Sequence, residues 1–163
     1  MPDAPVRIRR CRRTDFIEVM RLLAFDEPAP VAERRTLRRF RDIVNDLGGD
    51  LYLALVDDAI AGLVHVTYIR QLAAPPRAQI ERLIVTTPSR GHGIGSALFE
   101  FARRRAIRRG CGTLICSIPA DTGAAAFLEK VGLRCEGQRF VTEFPAADGS
   151  RESEAGRQEQ KIG

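Results

Sequence analysis

The stretch that decides the fold is residues 80–96, which read IERLIVTTPSRGHGIGS. Its first six residues are mainly apolar, as in a buried strand. Three alternate glycines, Gly91, Gly93 and Gly95, then lead into apolar residues that recur at helical spacing as far as residue 110. The stretch is therefore predicted to be a strand, a glycine-rich loop and the start of a helix.

A glycine-rich loop at the entrance of a helix is suited to hold an anion. Glycine adopts positive φ and has no Cβ, so several backbone N–H groups can converge on phosphate oxygens at the positive end of the helix dipole. Arg90 adds a planar cation and Ser96 adds a hydroxyl. We therefore predict a phosphate-binding loop, which the glycines and the arginine favour over a simple tight turn.

Two better-known phosphate loops fit this stretch less well. The spacing Gly91-x-Gly93-x-x-Ser96 loosely imitates the dinucleotide fingerprint, but that fingerprint opens directly from the first strand of a βαβ unit. Here the loop lies mid-chain, behind a predicted antiparallel hairpin and several polar residues. A Walker loop requires Gly-Lys-Ser/Thr, and no such triplet follows the glycines.

Hydrophobic periodicity around this stretch predicts a single α/β domain. Strands are predicted at residues 6–10, 51–56, 60–69, 78–85 and 113–118, with two short closing strands within 133–144. One helix is predicted to begin at Thr14-Asp15, and three more are predicted to cover residues 31–47, 94–110 and 122–131. Asp57-Asp58-Ala59 predicts a short turn that pairs its flanking strands antiparallel. Residues 1–144 should form the domain, and residues 145–163 a polar, disordered tail.

Length and composition exclude several other classes of protein. With 163 residues, 44% of them hydrophobic, the chain is sized for one packed domain. No apolar run approaches the roughly 20 residues of a membrane helix, and the N-terminal stretch lacks the apolar centre of a signal peptide, so we expect a cytoplasmic protein without a membrane partner. The four cysteines and two histidines lack ligand-like spacing, so no metal is expected.

The charge of the chain is positive, with a formal net value of +5. Nucleic-acid binding would favour aromatic residues interleaved with a basic stripe, but the sequence has no Trp and only two Tyr. A nucleic-acid-binding domain would therefore rest on charge alone, and no such partner is predicted. A polyanionic cofactor accounts for part of the charge equally well.

Three segments together carry a family resemblance. Residues 90–95, RGHGIG, are similar to the Q/R-x-x-G-x-G/A signature of the GNAT acetyltransferases. Residues 80–85 resemble the strand that precedes this signature, and residues 124–133 resemble the family's A-x-x-F-Y-x-x-x-G-F segment. The resemblance extends from about residue 6 to residue 144. It implies a mixed, mostly antiparallel sheet with about four helices, in which strands 78–85 and 113–118 run parallel and splay apart.

The same resemblance implies that acyl-CoA, by default acetyl-CoA, lies in that split. The pantetheine arm would lie along Leu83, Ile84 and Val85, and exposed backbone groups of Leu83 and Val85 would pair with it like an added strand. The pyrophosphate would be held by Arg90, Gly91, His92, Gly93, Ile94, Gly95 and Ser96. Asp121 and Phe127 would lie near the pantetheine, and their alternative roles are a helix N-cap and a core aromatic.

Glu81 is the predicted general base. Amines are mostly protonated at pH 7, so a proton must leave before the nitrogen can attack a thioester. Glu81 stands in an otherwise apolar strand, a setting that disfavours the charged form of a carboxylate, and similar proteins place a Glu here. Its alternative role is an ion pair with Arg82 or another arginine.

The clearest departure from the family is Leu128, where many members carry a Tyr that protonates the departing thiolate. Water, Tyr52, Tyr68 or Cys116 could substitute. An alkyl thiol has a pKa of about 8.5, so its thiolate can leave without full protonation. His65 is predicted either to face the acceptor cleft or to be half-buried.

Together these features predict an N-acetyltransferase that moves an acetyl group from acetyl-CoA to a primary amine by direct attack in a ternary complex. The alternative is a catalytically weak acyl-CoA-binding sensor of the same fold, for which Leu128 is the reason. The acceptor could be a small-molecule amine or a peptide or protein amine, selected by residues 24–47 and 71–77. Asp26 and Glu27 could attract a cationic amine or be solvated loop charges. A homodimer is expected by resemblance only.

Overall fold

The computed structural model describes residues 5–24, 34–117 and 123–136. The chain divides into two compact units, Met1–Leu133 and Arg134–Gly163, and all the elements described below lie in the first. The predicted domain boundary at residue 144 and the predicted tail fall outside the described residues and stay predictions. Within the described ranges, no helix combines the length and the apolar character that crossing a membrane requires.

Five strands form one sheet in the order β1-β2-β3-β4-β5. Their bounds are β1 (Arg7–Arg10), β2 (Gly49–Val56), β3 (Ala59–Ile69), β4 (Arg77–Val85) and β5 (Thr113–Cys116). The first four strands pair antiparallel with their neighbours, and β4 pairs parallel with β5. The predicted mixed, mostly antiparallel sheet is confirmed, and each strand lies close to its predicted position.

Helices cover both faces of this sheet. Their bounds are α1 (Phe16–Leu23), α2 (Arg34–Asn45), α3 (Ile94–Arg108) and α4 (Ala124–Lys130). Because side chains alternate along a strand, neighbouring residues of β3 enter different cores. Leu63 packs with α1 and α2, whereas Val64 packs with α3. The sheet therefore separates an α1–α2 side from an α3 side.

The turn between β2 and β3 consists of Asp57 and Asp58, with φ of 49° and 62°. Positive φ at both central residues is characteristic of the two-residue turn whose twist matches that of hairpin strands. Aspartate enters this region more readily than most residues with a Cβ. The acidic turn thus produces the antiparallel pairing that the sequence predicts.

A buried carboxylate connects α3 to the sheet. Asp50 is 1% exposed and accepts a hydrogen bond from the Tyr68 hydroxyl at 2.8 Å. Arg105 and Arg109, near the end of α3, donate to the same carboxylate at 3.1 and 3.3 Å. A buried charge requires such partners, because an unpaired one would lose its solvation without compensation. The cluster anchors the helix whose other end follows the glycine-rich loop.

The prediction of closing strands is wrong for residues 133–136. Residues 133–136 form neither helix nor strand, and residues 137–144 lie outside the described residues. Gly132 adopts φ of 93° after α4, and its N–H donates to Glu129. The N–H of Leu133 donates to the carbonyl of Leu128. These two bonds form the motif that commonly ends a helix, so Leu133 belongs to a helix terminus instead of a strand.

Candidate active site

In the described part of the chain, β4 and β5 pair only along the first half of β4. The parallel pairing begins at Arg77↔Thr113 and ends at Ile80↔Cys116. Residues 81–85 of β4 extend beyond this last pair. Within the described residues β5 therefore accompanies only the first half of β4, and the splay that the resemblance implies stays a prediction.

The edge of β4 beyond this point carries backbone groups of Leu83 and Val85. Thr86, which follows β4, donates its N–H to the carbonyl of Ala61 in β3 at 2.9 Å. Because the peptide groups of successive residues face opposite edges of a strand, those of Val85 and Leu83 face the β5 side. Ile84 turns its peptide groups toward β3 and buries its side chain on the α1–α2 side. The two residues whose backbone is predicted to pair with the pantetheine arm, Leu83 and Val85, therefore face the β5 side of the strand.

The glycine-rich loop joins β4 to α3. Gly91 and Gly93 adopt φ of 81° and 77°, a region that other residues rarely enter, and a Cβ at either position would meet open space. The first N–H bonded along α3 is that of Ala97, which donates to Gly93 at 2.9 Å. The N–H groups of residues 94–96 precede it and have no partner within the helix. These N–H groups lie at the helix entrance, where the dipole favours an anion, and the phosphate site predicted here stays a prediction.

Arg90 and His92 brace this loop against β4. The Arg90 Nε donates to the Val85 carbonyl at 3.2 Å, and the His92 Nδ1 lies 2.9 Å from the Arg90 carbonyl. Arg90 is exposed, and a guanidinium carries five N–H donors, so one bond to β4 leaves others for an anion. Ser96 is also exposed, whereas Ile94 buries its side chain in the α3 core.

Phe127 of α4 packs beside the same region. It is half-buried against the α3 core, and a Cβ added at Gly95 would lie 3.5 Å from its ring. That added Cβ would also lie 3.7 Å from Val85. Phe127 is thus a core aromatic located near the end of β4. Leu128, the next residue, is 8% exposed and has no proton to donate.

A β-bulge at Glu81 changes the faces of β4. Ile80 and Arg82 pair with successive residues of β3, so Glu81 is an extra residue between them. Ile80 packs in the α3 core, whereas Ile84 packs against the α1–α2 side. Residues four apart share a face in a regular strand, so the extra residue reverses the alternation.

Glu81 is exposed, and its Oε1 accepts a hydrogen bond from the Thr67 hydroxyl at 2.7 Å. The apolar setting predicted for Glu81 is therefore wrong, because the bulge keeps its side chain out of the core. Sequence reasoning missed Thr67. Its signal is the alternation of β3, which places Thr67 and His65 on one face of the strand.

Glu81 lines a cavity of about 530 Å³ on the α1–α2 side of the sheet. The polar part of the lining comes from β3, β4 and α2, and it consists of His65, Thr67, Glu81, Arg82, Thr36 and Arg39. The remainder comes mainly from apolar side chains of α1, α2 and the sheet. This volume lies within the range of small-molecule sites.

His65 is half-buried, as one of its two predicted positions requires, and it lines this cavity. Burial lowers the pKa of its imidazole, and the negative charges of Glu81 and Asp46 oppose that shift only in part. The lowered pKa favours the neutral form of the imidazole. The side chains of Glu81 and His65 therefore face the cavity from adjacent strands.

Comparison with known proteins identifies the family. Residues 16–133 match the Acetyltransferase (GNAT) family. The chain belongs to this family.

Several solved structures share this GNAT fold. A transcriptional regulator from Bacillus halodurans C-125 is 28% identical with a TM-score of 0.77, and the match covers 86% of this chain and 100% of that chain. Glucosamine-6-phosphate N-acetyltransferase from Arabidopsis thaliana is 20% identical with a TM-score of 0.74, covering 86% of this chain and 99% of that one. Ribosomal-protein-alanine N-acetyltransferase from Brucella melitensis biovar Abortus 2308 is 22% identical with a TM-score of 0.70, covering 86% and 100%. Because the last two structures are only 20% and 22% identical to this chain, their similarity shows the fold alone. No curated protein matches the sequence.

Two of the side chains considered as substitutes for the tyrosine of other GNAT proteins, Tyr68 and Cys116, have surroundings that raise their pKa. The Tyr68 hydroxyl donates to Asp50 on the α3 side, and burial raises its pKa. Cys116 lies at the last pair between β4 and β5, where burial and then the charge of Glu81 raise the pKa of its thiol. A protonated thiol is a poor nucleophile, which disfavours an acyl-cysteine intermediate.

Asp26, Glu27 and Asp121 lie outside the described residues. Among the residues that the structure describes, no group of His, Cys, Asp or Glu side chains is arranged to hold a metal ion. GNAT acetyltransferases take their acyl group from acetyl-CoA, and three features of this chain fit that donor. Among the described residues, these are the edge of β4 that continues past its last pair with β5, the space around the two positive-φ glycines, and the first turn of α3, whose N–H groups have no partner within the helix.

Proposed function

We propose that this protein is an N-acetyltransferase that transfers an acetyl group from acetyl-CoA to a primary amine by direct attack in a ternary complex. The observation that carries the proposal is the β-bulge in β4. It presents Glu81 to the cavity on the α1–α2 side, while the following residues of the same strand continue beyond the described pairing with β5. Donor and acceptor would thus meet at one strand.

The donor side of the proposal uses backbone groups and one cation. Leu83 and Val85 bind the pantetheine arm as a neighbouring strand would, and residues 91–96 hold the pyrophosphate together with Arg90. Phe127 and Asp121 border the arm. Bound acetyl-CoA supplies the activated acetyl group. The high thiol pKa at Cys116 supports a route without an acyl-enzyme.

The acceptor side centres on Glu81. As the N–C bond forms and the C–S bond of the thioester breaks, one proton leaves the amine for the Glu81 carboxylate, directly or through water. The Thr67 hydrogen bond supports this role because it holds the carboxylate in one orientation. CoA leaves as a thiolate and takes a proton from solvent, so Leu128 does not prevent turnover.

The test is the variant Glu81→Gln, which keeps the size of the side chain and removes its ability to accept a proton. We expect kcat to fall about 10²–10⁴-fold with acetyl-CoA affinity unchanged. Turnover is measured as release of CoA thiol across a panel of amines, and affinity by titration calorimetry. Glu129→Gln is the matched control, since Glu129 is exposed on α4 and loses the same charge.

Equal turnover in Glu81→Gln and the wild type would remove the base role. If the wild type binds acetyl-CoA without turning over any amine of the panel, the catalytically weak acyl-CoA-binding module is the better description. If it does not bind acetyl-CoA, both descriptions fail.

A further inference from the structure

The second helix is strongly basic on its surface. Its 12 residues include five exposed arginines and one aspartate. The arginines are Arg34, Arg35, Arg38, Arg39 and Arg41. A solvated basic helix is common, so charge alone assigns no role to any of them.

The face of α2 that lines the cavity distinguishes one arginine from the others. The residues of α2 that line the cavity are Thr36, Arg39, Phe40 and Ile43. These positions follow the spacing i, i+3, i+4, i+7, which forms one stripe along a helix. Arg39 is therefore the arginine of α2 that reaches the cavity containing Glu81.

The cavity thus combines three kinds of contact. Glu81 offers a carboxylate and Arg82 a guanidinium on the sheet side, and Arg39 offers a guanidinium on the helix side. Between these elements, the wall includes the buried apolar side chains of Val19, Phe40 and Leu63. A molecule that satisfies all three contacts has an amine, an apolar body and an anionic group.

We propose that the acceptor is a primary amine whose apolar body carries an anionic group such as a carboxylate, and that Arg39 binds this group. The inference rests on the proposed function and names its acceptor class. A guanidinium binds a carboxylate with two parallel hydrogen bonds, and such charge-assisted pairs are stronger than neutral ones. A polyamine would instead bring an additional positive charge to Arg39, which selects against it.

The chemistry of transfer is unchanged by the anionic group. The amine nitrogen bonds to the acetyl carbon, the C–S bond breaks, and the amine's proton passes to Glu81. The products are the N-acetylated acid and CoA thiol. The anionic group takes part only in binding.

The experiment compares three probe amines at saturating acetyl-CoA. Phenethylamine has an apolar body and no anionic group, and 4-(2-aminoethyl)benzoate is the same molecule with a carboxylate. Spermidine is a polycation. We expect kcat/KM for the carboxylate probe to exceed that for phenethylamine about tenfold or more, the size of a charge-assisted hydrogen bond. Spermidine should be the poorest of the three.

Variants of α2 test whether Arg39 causes this preference. Arg39→Gln should lower the ratio of kcat/KM for the carboxylate probe to kcat/KM for phenethylamine about tenfold. Arg39→Lys should restore part of this ratio, because the charge returns without the planar fork of the guanidinium. Arg38→Gln is the matched control: Arg38 is exposed on the same helix, and the same charge is lost outside the stripe that lines the cavity. Its ratio should stay within about twofold of the wild type.

Acceptance of phenethylamine or spermidine at least as readily as the carboxylate probe overturns the inference. An equal change of the ratio in Arg38→Gln and Arg39→Gln also overturns it, as does turnover of none of the three probes. Acetyl-CoA titration into the wild type is run in parallel. Failure of acetyl-CoA to bind removes the proposed function itself, whereas binding without a carboxylate preference removes only the acceptor class.

Discussion

Replacement of Gly93 by alanine separates the structural and the binding roles of the glycine-rich loop. Gly93 is the N-cap of α3 with φ of 77°, and an added Cβ would meet open space. The left-handed conformation costs a residue with a Cβ about 1–2 kcal/mol, and no steric term adds to it here. We therefore expect Gly93→Ala to lower the unfolding free energy by about 1 kcal/mol and Tm by about 2–4 °C.

The effect on acetyl-CoA should be larger than this loss of stability. The added methyl group stands in the space where the phosphates would approach the N–H groups of the loop. Loss of one charge-assisted hydrogen bond costs about 1.5–3 kcal/mol, so Kd should rise about 10–100-fold.

Gly110→Ala is the control for this prediction. Gly110 follows α3 at its other end with φ of 72°, and a Cβ there also meets open space. Urea unfolding should give both variants a similar loss of stability, while titration calorimetry should show weaker acetyl-CoA binding for Gly93→Ala alone. Equal affinities in the two variants would refute the argument that the loop holds the pyrophosphate.

Two further predictions concern stability. Arg9 donates two hydrogen bonds to Asp15, at 2.7 and 2.9 Å, and these hold the pKa of that carboxyl below its ordinary value. The stabilisation is therefore complete above about pH 4 and is lost as the pH falls through the lower folded-state pKa. The difference in urea midpoint between wild type and Asp15→Asn should shrink on acidification, and a constant difference would contradict the assignment. Asp50→Ala leaves Arg105 and Arg109 without their carboxylate and should cost about 2–4 kcal/mol in urea unfolding. Asp58→Asn, which breaks the exposed pair with Arg7, should cost less than about 1 kcal/mol, and similar losses in the two variants would refute the importance of burial.

Much of the fold could be predicted because its signals are local. The Asp57-Asp58 turn between two β-rich runs predicts the hairpin, and the glycines before residue 94 predict the start of α3. Both signals arise from backbone conformations that few residues adopt. The parallel pairing of β4 with β5 was predicted by resemblance, and within the described residues it covers all of β5 and only the first half of β4.

The acceptor side could not be predicted to the same degree because it depends on register and on the packing of distant elements. Nothing in residues 78–85 alone marks Glu81 as a bulge, since the extra residue exists only relative to β3. The bulge explains why Glu81 is exposed instead of enclosed by an apolar strand. Arg39 belongs to a helix with four other exposed arginines, and only the placement of α2 over the sheet selects it.

The central claim is that acetyl-CoA binds along the open edge of β4 and at the first turn of α3. The most direct test is to titrate acetyl-CoA into ¹⁵N-labelled protein and follow the backbone amide resonances. The account predicts saturable shifts at Leu83, at Val85 and across residues 91–96, all with one Kd. Saturable shifts that leave these amides unchanged and cluster around β1, or no saturable shifts at all, would contradict it.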